Sequence, residues 1–257
     1  MEIGFEKSEA DFQKCYESSH AQLLKEHKLY DIYNSYEGIN NLKTVNDNAG
    51  IEDPTKAELP DPAALEEAAK HTSIEDVIID ETAGTIYLKD PEMSLDVGGI
   101  GKGYATENAA KLIQNEGSEN FLLNLGGNVR AIGIKGDGSK WVCPVESPEY
   151  RDSQTGDQYA ITCYLDGRSL VTSGDYERYY VVDGQRYHHI IDKDTLAPAT
   201  RFSSVSVMVS DSGVGDALST ALFCMPYEAG RALAERFGAE VLWITPEGEI
   251  LRTEGMK

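Results

Sequence analysis

Between residues 141 and 209 the apolar residues fall almost entirely into short β-like runs, while helical spacing is confined to the segments on either side. The runs 161–165, 179–182, 187–191 and 205–209 have strand length and are rich in β-branched and aromatic residues. Helical periods recur over Phe12, Cys15, Leu23 and Leu24 to about His27, over 63–71 behind Asp61-Pro62, and again over 214–225 and 227–237. A strand ending near Lys7, a hairpin of 77–79 with 85–88 around 81–84, and strands at 121–125, 129–134 and 241–244 complete the pattern. Residues 29–48 have no clear period and predict short turns; 52–62, with three prolines, predicts a linker. This order is neither a strict βαβ alternation nor all-β, so the expected class is α+β, with mixed or antiparallel sheets and flanking helices. The 257 residues predict one domain, 1–257, with room for two intimate lobes.

Hydrophobic residues at 40% and charged ones at 26% are those of a globular chain. The formal charge of −21 excludes a nucleic-acid binder, because counterion release needs a Lys/Arg stripe and this surface repels phosphate. An acidic protein that handles phosphate needs local means: a helix N-terminus, a lone Lys or a bound cation. Cys15, Cys143, Cys163 and Cys224 show no CxxC spacing and read as buried small hydrophobes, with a Cys143–Cys163 bridge as the alternative. No run reaches the length of a membrane span, and no signal peptide opens the chain. Both a cytoplasmic protein and a mature form without its leader fit that observation.

Four clusters carry potential chemistry. In Asp96-Val97-Gly98-Gly99-Ile100-Gly101-Lys102-Gly103, four glycines sit between an extended stretch and a helix, where backbone N–H groups can approach an anion. Lys102 falls in the first helical turn, an unfavourable place for a cation unless an anion binds beside it. The spacing fits neither a Walker A loop nor GxGxxG; the alternative is a tightly packed helix entry. In Gly215-Asp216-Ala217-Leu218-Ser219-Thr220, Asp216, Ser219 and Thr220 stand at i, i+3 and i+4, an oxygen set suited to Mg²⁺ or simply to a helix terminus. Thr172-Ser173-Gly174-Asp175-Tyr176 precedes a strand holding His188-His189; neighbours on a strand face opposite ways, so one histidine at most serves a given site. The fourth cluster is the glycine turn of Asn124-Leu125-Gly126-Gly127-Asn128, and Tyr30, Tyr33 and Tyr36 could stack on a planar ligand.

Taken together and in this order, these motifs, with His189-Ile190-Ile191-Asp192 and Leu29-Tyr30-Asp31-Ile32-Tyr33 followed by Asn46, resemble the ApbE family of FAD:protein FMN transferases. The resemblance runs from Asp11 to the end of the chain. It implies a T-fold-like α+β architecture and a Mg²⁺-dependent enzyme. Such an enzyme splits FAD, joins FMN to a Thr or Ser hydroxyl of an acceptor flavoprotein, and releases AMP. Carried over by position, it implies that Asp96, Lys102 and Ile191 contact FAD and that Tyr33 lines the flavin site. Mg²⁺ would take the Gly99 carbonyl, Asp216 and Thr220, with Ser219 standing where some members have a second Asp. His189 would be the base for the incoming hydroxyl. The family also carries a Gly-Ala-Phe-Asp-like segment that is missing here near 50–53, and its members are extracytoplasmic, membrane-tethered lipoproteins. Two alternatives stay open: an FAD pyrophosphatase giving FMN and AMP, and a flavin-binding protein without turnover.

Overall fold

The computed structural model describes residues 2–4, 9–30, 36, 59–176 and 178–256. Tyr33, the expected turns at 37–48 and the expected break near 50–53 lie outside these residues. The centre is a seven-stranded sheet in the order β1 (Glu2–Gly4), β4 (Phe121–Asn124), β5 (Asn128–Ile132), β8 (Ser169–Gly174), β13 (Ser204–Val209), β14 (Glu240–Ile244) and β15 (Ile250–Arg252). Every pairing in it is antiparallel.

One face carries the helices: α1 (Glu9–Tyr30), α3 (Gly101–Asn115), α5 (Ser212–Cys224) and α6 (Tyr227–Arg236). Alternation along β13 explains the layering. Val205, Val207 and Val209 pack with Leu218, Leu222, Phe223 and Trp243 on the helix side. Met208 joins Leu122, Leu170 and Leu242 on the opposite side, beneath the hairpin of β6 (Trp141–Glu146) and β7 (Tyr159–Leu165). At the far edge, Phe12 and Cys15 of α1 pack with Ile113, Phe121 and Ile132, and Phe12 stacks on Phe121 at 5.8 Å. Trp243 is fully buried, with the Tyr227 ring edge-on at 5.1 Å.

Three elements depart from the sequence expectation. The segment leading into Thr172-Ser173-Gly174 is β8, a central strand, because tertiary pairing to β5 and β13 overrides its polar composition. The helix α4 (Pro148–Ser153) has no apolar period; it is specified by its cap, with Ser147 accepting from Tyr150 N–H and Pro148 at the first turn. The run 187–191 is not one strand: β10 (Gln185–His188) pairs with β9 (Tyr179–Val182), and a bend precedes β11 (Ile191–Asp192), which pairs with β12 (Ala197–Pro198). Cys143 and Cys163 face each other across β6 and β7 as free thiols, and burial pushes both up to about 11. The bridge alternative is not formed.

The helix α2 (Pro62–Ala69) and the hairpin of β2 (Val77–Asp80) and β3 (Thr85–Leu88) precede the glycine-rich segment in the chain. His71 ties the end of α2 to the turn that follows β3. Its Nδ1 bonds Asp90 Oδ2 at 2.7 Å, while Nε2 faces Glu92 at 3.5 Å and Glu67 at 3.9 Å. The Asp90 hydrogen bond, aided by the charges of Glu92 and Glu67, outweighs desolvation and raises the imidazole pKa. A histidine whose folded pKa is raised stabilises the fold below its unfolded value and loses that contribution as pH rises through the folded one. His71→Gln is therefore expected to lower the unfolding midpoint more at pH 5.5 than at pH 9, as calorimetry at the two pH values would measure.

Candidate active site

The glycine-rich segment opens α3 without a cap of its own. Asp96 makes an Asx turn, accepting from Gly98 N–H at 2.6 Å, and Ile100 at the cap position offers no side-chain bond. The cap comes from across the fold: Gly103 N–H donates to Asp216 Oδ2 of α5 at 2.7 Å. Gly103 is required there, because a Cβ would fall on the Ser212 carbonyl and on Asp216 Cβ. Lys102 reaches out of the first turn, and its Nζ donates to the Gly126 carbonyl at 2.9 Å. That carbonyl is presented by a two-residue hairpin turn in which Gly126 and Gly127 both have positive φ, +57° and +83°. Two of the motifs therefore meet at Lys102.

α5 supplies the opposite wall. Its N-terminal amides are already taken: Asp211 accepts from Gly213 and Val214, and Glu107 Oε2 accepts from Ser212 N–H at 2.9 Å. At α3, Gly101 N–H donates to the Val97 carbonyl at 2.6 Å and Gly103 N–H to Asp216, so the group α3 presents to an anion is the Lys102 ammonium rather than a row of open amides. Asp216 is 5% exposed; burial raises its pKa, opposed by Gly103 N–H, by the charge of Lys102 and by the Asn128 amide. Thr220 holds its hydroxyl in a long bond of 3.4 Å to the Asp216 carbonyl, and Gly99 lies against it, with the Gly99 Cβ position 3.7 Å from Thr220 Oγ1. Gly99, Asp216 and Thr220 converge.

Ser219 does not join them. One residue step turns an α-helix by about 100°, so Ser219 and Thr220 diverge although both neighbour Asp216. Ser219 is fully buried, bonded to Ser173 Oγ at 2.8 Å and to the Asp216 carbonyl at 3.0 Å. It ties α5 to β8, and no ligand role is carried forward for it.

Among the described residues no group of three or more His, Cys, Asp and Glu could hold a metal. A cation here would have one carboxylate, one hydroxyl and the Gly99 carbonyl, and would need oxygens from a substrate to complete its shell. That donor set suits Mg²⁺, which keeps positions open for phosphates. A buried carboxylate whose charge is incompletely offset and a neighbouring buried Asn128 Nδ2 without a hydrogen bond both fit a charged, oxygen-bearing occupant.

His189 and Ile191 line a cleft of about 530 Å³ with Leu59, Leu65, Tyr179, Tyr187 and Pro198. None of Asp96, Gly99, Lys102, Asp216 and Thr220 lines this cleft. Arg186 stiffens one side, stacking over the Tyr179 ring at 4.3 Å and bonding Asp152 at 2.8 Å. His188 and His189 both border this cleft, but they differ in exposure and in what their ring nitrogens bond. His188 is buried: Nε2 donates to the Ala199 carbonyl, Nδ1 accepts from Ile190 N–H, and burial lowers its pKa. Both its nitrogens are used, so it is a neutral structural residue. His189 is exposed, and its Nδ1 bonds the Arg178 carbonyl at 3.1 Å. A carbonyl only accepts, so Nδ1 carries a proton, and in the neutral tautomer Nε2 is the nitrogen with the lone pair.

Sequence reading missed a buried polar network behind Asp216. Arg130 bonds Glu107 Oε2 at 2.9 Å and the carbonyls of Ala131 and Gly167, and Ser212 Oγ donates to Asn128 Oδ1. The signal was available: Asn128 and Arg130 alternate with Val129 and Ala131, which places polar residues on the helix-facing side of a strand.

The ApbE family profile matches residues 18–243. A protein of Klebsiella pneumoniae named FAD:protein FMN transferase is 34% identical over 195 residues, covering 75% of this chain and 58% of its own length. One of the same name from Treponema pallidum is 35% identical over 216 residues, covering 78% and 59%. The chain thus spans under two thirds of these relatives. Among solved structures, the ApbE protein of Thermotoga maritima superposes with a TM-score of 0.70 at 29% identity, over 99% of this chain and 78% of the other. The apo flavinyl transferase ApbE of Pseudomonas stutzeri gives 0.65 at 25%, over 99% and 75%. With a family match across nearly all of the described fold and relatives above 30% identity, this chain belongs to the ApbE family.

Proposed function

We propose that the chain is a Mg²⁺-dependent FAD:protein FMN transferase that moves the FMN half of FAD onto a Thr or Ser hydroxyl of an acceptor flavoprotein and releases AMP. The observation that carries this reading is the convergence of the glycine-rich entry to α3 and Lys102 with Asp216 and Thr220, a cation for the pyrophosphate beside a hard-oxygen set. The name shared by the relatives supports the substrate pair. Mg²⁺ held by Asp216, Thr220 and the Gly99 carbonyl would neutralise pyrophosphate charge and orient the phosphoryl group to be transferred.

The chain's own residues do the rest. Lys102 binds the pyrophosphate, while Asp96, Ile191 and Tyr33 contact the flavin nucleotide. The cleft at Ile191 has the volume for one planar ring system, being of the size that drug-sized ligands fill. The acceptor hydroxyl oxygen bonds to the FMN phosphorus, the bond from that phosphorus to the bridging oxygen breaks, and AMP carries that oxygen away. His189 Nε2 takes the hydroxyl proton. Tethering outside the cytoplasm belongs to this reading and rests on the resemblance alone.

The test mixes the protein, FAD and Mg²⁺ with a flavoprotein fragment bearing an acceptor Thr, and follows acceptor mass and AMP together. The expected result is an acceptor heavier by one FMN for each AMP, lost with EDTA and reduced at least about 10²-fold in His189→Gln. AMP without labelled acceptor would replace the transferase by an FAD pyrophosphatase; bound FAD with neither product would leave a flavin-binding protein.

A further inference from the structure

Asn128 is fully buried at the start of β5, on the helix-facing side of the sheet. Its side chain has a fixed orientation. Ser212 Oγ donates to Oδ1, and the amide faces the Asp216 carboxylate, whose charged form it favours. The flipped amide would set Oδ1 against that carboxylate, so Nδ2 is the group that faces it. Yet Nδ2 has no hydrogen-bond partner. The groups around the carboxylate are taken: Gly103 N–H is on Asp216 Oδ2, Ser212 N–H on Glu107, and Glu107 on Arg130. A buried donor without a partner, beside a carboxylate at the candidate cation site, calls for an acceptor that arrives with the ligand. A cation cannot accept from N–H, so the acceptor is an oxygen in the cation's shell, either water or phosphate.

We propose that Asn128 is a positioning residue for the Asp216 site: held by Ser212, it donates through Nδ2 to an oxygen of the metal-bound pyrophosphate shell and couples cation binding to dinucleotide binding. This rests on the reading of the site given above. Outer-shell partners of this kind change metal affinity about 10- to 100-fold when removed.

The experiment measures FAD affinity by stopped-flow quenching of flavin fluorescence, with Mg²⁺ and with EDTA. The ratio of the two dissociation constants reports the coupling. Asn128→Ala and Asn128→Leu are expected to keep the EDTA value and to lose about tenfold of the ratio. Asn128→Leu keeps the volume and removes the amide without adding a charge, and Ser212→Ala removes the restraint and keeps the donor. Ser212→Ala is expected to stay within about threefold of wild type. Thermal unfolding of each metal-free variant tests the fold, and the expected midpoints lie within a few degrees of wild type. A wild-type ratio with no dependence on Mg²⁺ would overturn the site reading itself. A Mg²⁺-dependent wild-type ratio that Asn128→Ala leaves unchanged, or that Ser212→Ala lowers as much as Asn128→Ala does, would overturn the role of Asn128 alone.

Discussion

Asp216→Asn is expected to lower Mg²⁺-dependent AMP release and acceptor labelling at least about 10²-fold, the scale on which a single preorganised electrostatic group acts in catalysis. Its effect on folding has the opposite character. The carboxylate is 5% exposed and its charged form is disfavoured by burial, so the metal-free fold carries a desolvation cost that the neutral amide removes. The amide oxygen can still accept from Gly103 N–H, which caps α3. Metal-free Asp216→Asn is therefore expected to unfold no earlier than wild type, while the stabilisation that Mg²⁺ with FAD gives wild type disappears. Thermal scans with and without ligands, run beside the AMP assay, separate these effects. Retained Mg²⁺-dependent labelling would remove Asp216 from the site.

Gly103→Ala is expected to be strongly destabilising. The added Cβ meets backbone, the Ser212 carbonyl, as well as Asp216 Cβ, and neither is the free end of a flexible side chain. Relief requires α3 and α5 to separate, which breaks the Gly103–Asp216 and Glu107–Ser212 bonds together. Overpacking of this kind costs about 3 kcal/mol, or an unfolding midpoint lower by roughly 6–12 °C in a chain of this length. Gly99→Ala is the contrast: its Cβ meets Thr220 at an ordinary 3.6–3.7 Å, so the protein should fold normally while the methyl group crowds the candidate cation position. Calorimetry of the pair tests the packing. Equal midpoints would mean that α3 and α5 are not held at this spacing.

The histidine pair shows what local pattern reading can deliver and where it stops. Opposite facing of neighbours along an extended chain gives His188 and His189 different surroundings, one buried and one exposed, although both border the same cleft. It does not reveal that a bend separates β10 from β11, nor that the Ala199 carbonyl and Ile190 N–H occupy both nitrogens of His188. The triplet Asp216, Ser219 and Thr220 teaches the same limit. Helical spacing puts Ser219 and Thr220 each next to Asp216, yet Ser219 is drawn to Ser173 because β8 lies beneath α5. The polar strand β8 was itself illegible, since its stability comes from two neighbours rather than from its own composition.

Whatever depends on short-range constraint is legible in the residues themselves: the helical and strand periods, the Gly126-Gly127 turn with its two positive φ angles, and the glycine entry to α3. These follow from sterics and from apolar spacing within a few residues. Which polar groups are buried together is set by long-range packing. Gly103 meets Asp216 across 113 residues and Glu107 meets Ser212 across 105. Those contacts exist because β5, β8 and β13 are adjacent in the sheet and carry α3 and α5 side by side on one face. Strand order is a non-local choice, made by the burial of whole faces against one another, and no local pattern encodes it. The candidate site is made where those non-local choices close, between a loop that the sequence announces and a helix that only the fold brings to it.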